Sequence, residues 1–260
     1  MVEMKIDIRS LSEDQIIEFF EKKGFDSYRG RQVYEWIWKK SSYSFDEMTN
    51  ISKDLRDVLD NHFVINHIQV DKIQKSSDGT IKNAVKLHDD HTVESVLIPT
   101  DDRTTACVSS QVGCSLDCRF CATSKLKRMR NLNPDEIYDQ VVTINKQSLK
   151  YFNRPLSNIV YMGMGEPLMN YNNLIKSIEK ISSDKGLNMS QKRIVVSTSG
   201  IPKMIKKLAD ENLKVNLALS LHSAIEETRN IIMPFSKKFS LNEIKDSLIY
   251  WYSKTKRKIT

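Results

Sequence analysis

At 260 residues, with 40% hydrophobic and 28% charged residues, the chain can bury a domain-sized core and falls outside the disordered and fibrous classes. No apolar run approaches a membrane span, and the start Met-Val-Glu-Met-Lys-Ile-Asp lacks the apolar centre of a signal peptide, so a cytoplasmic protein with no membrane partner is expected. A net charge of +7 permits nucleic-acid binding without establishing it.

Residues 1–62 read as a small helical domain. Ser12 and Gln15 have capping-box spacing, Ile16, Ile17, Phe19 and Phe20 follow as an apolar face, and Gly24 stops the helix. A second helix is predicted from Arg31 to Lys40, with Val33, Trp36 and Ile37 inward, and a third from Ser52 to Asn61, with Leu55, Val58 and Leu59 inward. This domain serves either packing alone or RNA contact through Arg29, Arg31, Lys39 and Lys40.

Residues 63–100 change to a period of two and predict a short antiparallel linker sheet. Ile65 to Ile73 alternates, Asp78-Gly79 turns, Ala84 to Leu87 is a short apolar run, and Val93 to Ile98 is the last strand. Glu94 lies on that strand, where a lone glutamate ordinarily faces solvent.

Residues 101–260 alternate strand and helix. Strands are predicted at Ala106–Ser109, Asn158–Met162, Arg193–Ser197 and Val215–Leu221. The intervening helices carry Ile137, Val141, Val142 and Ile144; then Leu174, Ile178 and Ile181; then Met204, Ile205 and Leu208. Asn133-Pro134-Asp135-Glu136 opens the first of them, with a cap, a proline in the first turn and acids at the positive helix end. Ser240 and Glu243 form a capping box before Ile244, Leu248 and Trp251. Such alternation implies an α/β fold with a parallel sheet, whose sites gather at the carboxyl ends of its strands. Arg257-Lys-Ile-Thr260 reads as the entry to a fifth strand, so the sequence is expected to be a fragment or to have its sheet edge covered otherwise.

Four loops follow strands directly and are expected on one rim: the one holding Cys114, Cys118 and Cys121, then Gly163-Met-Gly-Glu-Pro167, then Ser197-Thr-Ser-Gly200, then the one at His222. Three thiolates within eight residues can hold three corners of an iron–sulfur cube and leave the fourth iron open. Zinc is the alternative, but it wants four paired ligands, and Cys107, His91 and His222 stand alone. Gly163 and Gly165 allow close backbone approach to a ligand, and Glu166 can accept from an ammonium group. Ser197 and Ser220 can bond ligand hydroxyls or a carboxylate, or simply satisfy strand ends; His222 reads as structural, and Cys107 as buried packing. The basic run Lys125-Leu-Lys-Arg-Met-Arg130 is either solvated or a phosphate attractor.

The C-x3-C-x-aromatic-C pattern, with Phe120 before the last cysteine, resembles the signature of radical S-adenosylmethionine (SAM) enzymes. With Thr105-Ala-Cys107-Val-Ser-Ser-Gln-Val-Gly-Cys114, Gly163-Met-Gly-Glu-Pro-Leu168, Ser197-Thr-Ser-Gly200, Ser220-Leu-His222, Ser76-Ser-Asp-Gly-Thr80 and Phe45-Asp-Glu-Met-Thr49, the chain resembles the RlmN/Cfr family of RNA methyltransferases from its first module to its end.

The resemblance implies a partial (β/α)6 radical-SAM barrel behind an RNA-contacting domain. It implies a [4Fe-4S] cluster on Cys114, Cys118 and Cys121, and SAM at Gly165, Glu166, Ser197, Ser220, Leu221 and His222. The implied reaction methylates C2 of adenosine in 23S rRNA and in tRNA by a ping-pong scheme through a methylated cysteine. Glu94 would be its acid–base residue and Cys107 the thiol that resolves the protein–RNA adduct through a disulfide. A flavodoxin-like electron donor and a monomeric state are expected with it. Glu166-Pro167 matches the RlmN branch better than the C8-methylating Cfr branch, which stays as the alternative. No cysteine follows Cys121, so the methyl-carrying thiol is missing, and this sequence by itself is expected to be inactive, a binder of SAM, cluster or RNA. The glycine often seen downstream of the cluster is also absent from Ser124-Lys-Leu-Lys-Arg128.

Overall fold

A computed structural model describes residues 5–260. They fall into two compact units: residues up to Ile68 together with Glu179–Met189, and Gln69–Ile178 together with Ser190–Thr260.

In the first unit a two-residue strand β1 (Ile6–Asp7) precedes helices α1 (Glu13–Lys22), α2 (Ser27–Trp38) and α3 (Lys53–His62). Strand β2 (Phe63–Val64) returns to pair with β1 in parallel. The Ser12 capping box forms as expected: Gln15 N–H donates to Ser12 Oγ, and Ser12 N–H to Gln15 Oε1 at 2.8 Å. Helix α2 starts one turn before its predicted Arg31, because Gly30 is not a stop. It is buried against α1, where a Cβ would come within 2.7 Å of Ile17 Cα. Ile16, Phe20, Val33, Ile37, Leu55 and Leu59 make the core of this unit.

The second unit is built on one seven-stranded sheet. Its strands are β3 (Gln69–Lys75), β4 (Ile81–Lys86), β5 (Thr92–Pro99), β6 (Thr104–Cys107), then β9 (Asn158–Tyr161), β10 (Ile194–Thr198) and β11 (Asn216–Leu219). A separate two-stranded ribbon, β7 (Gln111–Val112) and β8 (Arg130–Asn131), lies between them in sequence. The spatial order is β11-β10-β9-β6-β5-β4-β3. The β6, β9, β10 and β11 neighbours pair in parallel, as alternation with helices requires. The antiparallel strands β3–β5 continue this sheet through the β5–β6 pairing. The connecting helices are α4 (Pro134–Phe152), α5 (Tyr171–Ser182), α6 (Pro202–Asp210), α7 (Glu226–Ile232) and α8 (Leu241–Thr255).

Strand alternation gives the sheet two unlike faces. Ile81, Val85, Val93, Leu97, Ala106, Ile159, Tyr161, Ile194 and Val196 are buried in the core. The Asn83 and Gln147 amides, both buried, bond each other at 3.0 and 2.7 Å between β4 and α4. The opposite face carries Lys82, Glu94, Val96, Cys107, Val160 and Ser197, all at least partly exposed. Beside β11, Ile259 bridges Leu217 in parallel, and Leu219 N–H donates to the Thr260 carbonyl at 2.7 Å, so the last residues run along that edge. Among the described residues no helix is long and apolar enough to cross a membrane.

Candidate functional site

The cysteine loop is a closed structure standing on a ribbon. Its legs are β7 and β8, paired Gln111 to Asn131 and Val112 to Arg130. Sequence reasoning missed these strands because two residues carry no period. Arg130 fixes the base: its guanidinium donates to Glu136 at 2.8 and 2.7 Å and to Asp89 at 2.6 Å. Glu136 also accepts from Asn133 N–H, which ties the ribbon to the start of α4. The Arg130 guanidinium holds the Asp89 carboxyl well below the usual carboxylate range.

At the top of the ribbon Gly113 has φ +74°, and a Cβ there would lie 2.3 Å from the Lys127 carbonyl oxygen. Only glycine lets the two legs come this close. Further round, Ser124 Oγ is 2.6 Å from the Cys118 carbonyl and 2.7 Å from the Cys121 carbonyl. Cys118 is buried with Leu116 and Met233; Cys114, Cys121, Ile232 and Phe235 pack against that group.

Opposite the loop lies Glu166, only 2% exposed. Its Oε2 accepts from Ser199 N–H at 2.8 Å and its Oε1 from Leu168 N–H at 3.1 Å. Burial pushes the Glu166 carboxyl up, against the pull of these hydrogen bonds. Gln111 holds the segment: Glu166 N–H donates to Gln111 Oε1 at 2.9 Å, and Gln111 Nε2 to Asn131 Oδ1 at 2.8 Å. Gly165, with φ +97°, makes room for that contact, since a Cβ would sit 2.5 Å from Gln111 Cβ. Gln111 is fully buried, and sequence reasoning missed it because an amide in a polar stretch carries no pattern.

The three thiols, Gly165, Glu166, Ser197, Ser220 and His222 line one cavity of about 240 Å³. Ser197 and Ser220 hydroxyls lie 3.5 Å apart, and the His222 ring packs on Phe120 with centroids 4.1 Å apart. Leu221, expected at the same site, is not among the lining residues; its carbonyl accepts from Arg229 Nε at 3.2 Å. Glu94 and Cys107 are outside this lining, on the exposed face of the sheet. The Val96–Cys107 pairing puts Cys107 and Glu94 on that same face. Glu94 pairs with Lys82 at 2.9 Å, and its carbonyl accepts from Ser109 Oγ at 2.5 Å. Burial pushes the Cys107 thiol up to about 11, although a main-chain hydrogen bond at Met162 opposes it. A larger cavity, about 620 Å³ against α5 and α6, touches none of the thiols and has no comparable donor set.

The residues fit an iron–sulfur cluster better than zinc. Among the described residues no three His, Cys, Asp or Glu side chains converge on a single-ion position. A cube offers each thiolate its own iron, so three separated thiols on one cavity wall suit it. Burial pushes the Cys118 thiol up, and the neighbouring Cys114 and Cys121 push it further, so three thiolates here require positive metal between them. Glu166 faces the same cavity as a buried acceptor, suited to the ammonium of SAM.

The chain is similar to known proteins over nearly its whole length. Residues 6–65 match the family model described as the ribosomal RNA large subunit methyltransferase N-terminal domain, and residues 108–250 match that of the radical SAM superfamily. A probable dual-specificity RNA methyltransferase RlmN from Christiangramia forsetii is 68% identical over 256 residues, 98% of this chain and 73% of that protein. The dual-specificity RNA methyltransferase RlmN of Desulfotalea psychrophila is 41% identical over 246 residues, 92% of this chain and 68% of that one. The crystal structure of a radical SAM methyltransferase from Sphaerobacter thermophilus superposes with a TM-score of 0.90 at 33% identity, covering 98% of this chain and 74% of that one.

Proposed function

We propose, for a chain that belongs to the RlmN family of radical SAM RNA methyltransferases, that it methylates C2 of an adenosine in 23S rRNA and in tRNA. The family uses a [4Fe-4S] cluster and SAM. The observation that carries the site assignment is the shared cavity of Cys114, Cys118, Cys121 and Glu166.

When bound, the cluster and SAM supply one-electron, radical-forming chemistry, and the protein's task is to position it and exclude side reactions. Cys114, Cys118 and Cys121 are the thiolates that hold the cluster. Glu166 would receive the ammonium of SAM, and Gly163 and Gly165, packed on Ser109 and Gln111, line the cavity beside it. Ser197 and Ser220 offer hydroxyls, and Phe120 against His222 walls the cavity on its open side. Glu94, oriented by Lys82, is the acid–base residue toward the RNA. Cys107, on the same sheet face, is the resolving thiol of the ping-pong scheme. The four cysteines of this sequence are then the three cluster ligands and Cys107, so the methyl-carrying thiol of that scheme is none of them.

RNA contact by the first unit is supported by cation–aromatic pairs on α2 and just after it: Arg29 over Tyr28 at 4.7 Å and Lys40 over Trp36 at 3.6 Å. A flavodoxin-like protein is the proposed electron donor, and the enzyme is proposed to act as a monomer in the cytoplasm.

The test is anaerobic reconstitution with iron and sulfide, then incubation with SAM, a one-electron reductant and ribosomal RNA or tRNA. Mass spectrometry of the digested RNA reads the product. The proposal expects 2-methyladenosine from protein that also carries the methyl-carrying cysteine, lost in a Cys118→Ala variant, and none from these 260 residues alone; 8-methyladenosine would move the protein to the C8 branch. A loaded protein that carries that cysteine and forms neither would refute the methyltransferase assignment.

A further inference from the structure

Arg229 is 1% exposed, and among the described residues its carboxylate neighbour Glu226 acts on it without a direct ion pair. A buried charge without an ion pair is costly and calls for a local reason. Its hydrogen bonds go to two main-chain carbonyls: Nη2 to Ser199 at 2.6 Å and Nε to Leu221 at 3.2 Å. These carbonyls belong to the two strand-end loops that carry Ser197 and Ser220. Ser199 is also the residue whose N–H donates to Glu166. A buried guanidinium and a buried carboxyl group therefore bond the carbonyl and the N–H of one loop residue.

The element bearing Arg229 also touches the cysteine loop. Met233, one turn on, is buried in one group with Cys118, Ile232 packs against that group as Cys114 and Cys121 do, and Arg119 N–H donates to the Ile232 carbonyl at 2.9 Å. Cys118, the most enclosed of the three, is an electrostatic neighbour of Arg229.

We propose that Arg229 is a positioning residue for the radical chemistry, one that ties the Ser199 and Leu221 loops together and places a permanent positive charge behind the Cys118 corner of the cluster, favouring its reduction. The inference rests on the cluster assignment above. The step is a one-electron transfer from an external reductant to the oxidised cluster, with no bond formed or broken and no proton moved. An added electron makes the cluster more negative, so a fixed cation close by, screened little by solvent, stabilises the reduced form. Removing that cation lowers the potential.

The wild type, Arg229→Gln and Arg229→Lys are reconstituted anaerobically and titrated with dithionite and mediators in the absence of SAM. The paramagnetic signal of the reduced cluster reads the potential, and iron and sulfide content read loading. Arg229→Gln is expected to lower the reduced-to-oxidised ratio at a fixed poise about tenfold, a fall of about 59 mV for a one-electron couple. The difference should persist at high salt, because a buried charge is poorly screened. Arg229→Lys keeps the charge but not the planar fork. It is expected to keep the wild-type potential while SAM affinity, by equilibrium dialysis, falls about tenfold. A wild type that takes up no iron overturns the cluster assignment and this inference with it. A loaded Gln variant with the wild-type potential overturns this inference alone. Should the Gln variant not fold, a Lys variant whose potential drops, or whose SAM affinity is unchanged, overturns it as well.

Discussion

Glu166 N–H donates to Gln111 Oε1 at 2.9 Å, joining the carboxylate segment to the ribbon that carries the cysteines. The loop proposed to hold the cluster and the segment proposed to meet SAM are thereby fixed to each other. Gln111→Ala leaves Glu166 N–H without its partner and Asn131 Oδ1 with Arg128 alone, a loss of about 1–3 kcal/mol for a buried polar group. The expected outcome is a lower Tm and roughly tenfold weaker SAM binding by the loaded protein. Unchanged SAM affinity by equilibrium dialysis would contradict the tie.

Gly113→Ala attacks the same loop from the ribbon. The substituted residue has to hold φ +74° with a Cβ 2.3 Å from the Lys127 carbonyl. Neither strain can be relieved without parting the legs, at a cost of about 1–2 kcal/mol from the dihedral alone. Iron content after reconstitution should fall severalfold while helical circular dichroism is retained. Full loading with wild-type iron would show that the legs need not close.

Asp89 gives a pH dependence. Its folded pKa is depressed by Arg130, so its stabilising contribution is complete above its unfolded value, about 3.9, and fades as pH falls below that. Asp89→Asn should therefore cost roughly 1–2 kcal/mol at pH 7 and progressively less as pH drops under about 4. Urea denaturation at several pH values measures it; a difference that grows on acidification would reverse the sign.

Cys107 is held as a thiol at neutral pH. Its pKa of about 11 against the ordinary 9.0 means roughly a hundredfold less thiolate, and alkylation depends on the thiolate. The rate of Cys107 carboxamidomethylation in loaded protein, read by peptide mass spectrometry, should still be rising at pH 10. A rate that levels off by pH 10, with its midpoint near the ordinary 9.0, would mean that the thiol is free of its surroundings. For a resolving role, the adduct or the RNA has to loosen this enclosure.

Elements with a period and a cap were legible in the sequence. The helix at Pro134 and the strands at Asn158 and Ile194 follow from local residue pattern, and the order of their loops put the thiols, Glu166, Ser197 and Ser220 together. What stayed hidden depends on partners distant in sequence. The β7–β8 ribbon pairs residues whose only signal is each other. Helix α7 has seven residues, reads Glu-Glu-Thr-Arg-Asn-Ile-Ile, and buries its arginine rather than its first acids. Gln111 and Arg229 both act by bonding main-chain groups, and main-chain acceptors leave no trace in side-chain patterning.

The Ser124 hydroxyl, which bridges the Cys118 and Cys121 carbonyls, bears on how the enzyme survives oxygen. Small metal domains that owe their fold to the metal collapse when it leaves. Here the turn is stapled from within by Ser124 and from below by the ribbon and Arg130, using bonds that contain no iron. Oxidative loss of the cluster would strip the cofactor and leave its mould standing. Repair then becomes a matter of resupplying iron and sulfide, without a chaperone or a new round of folding.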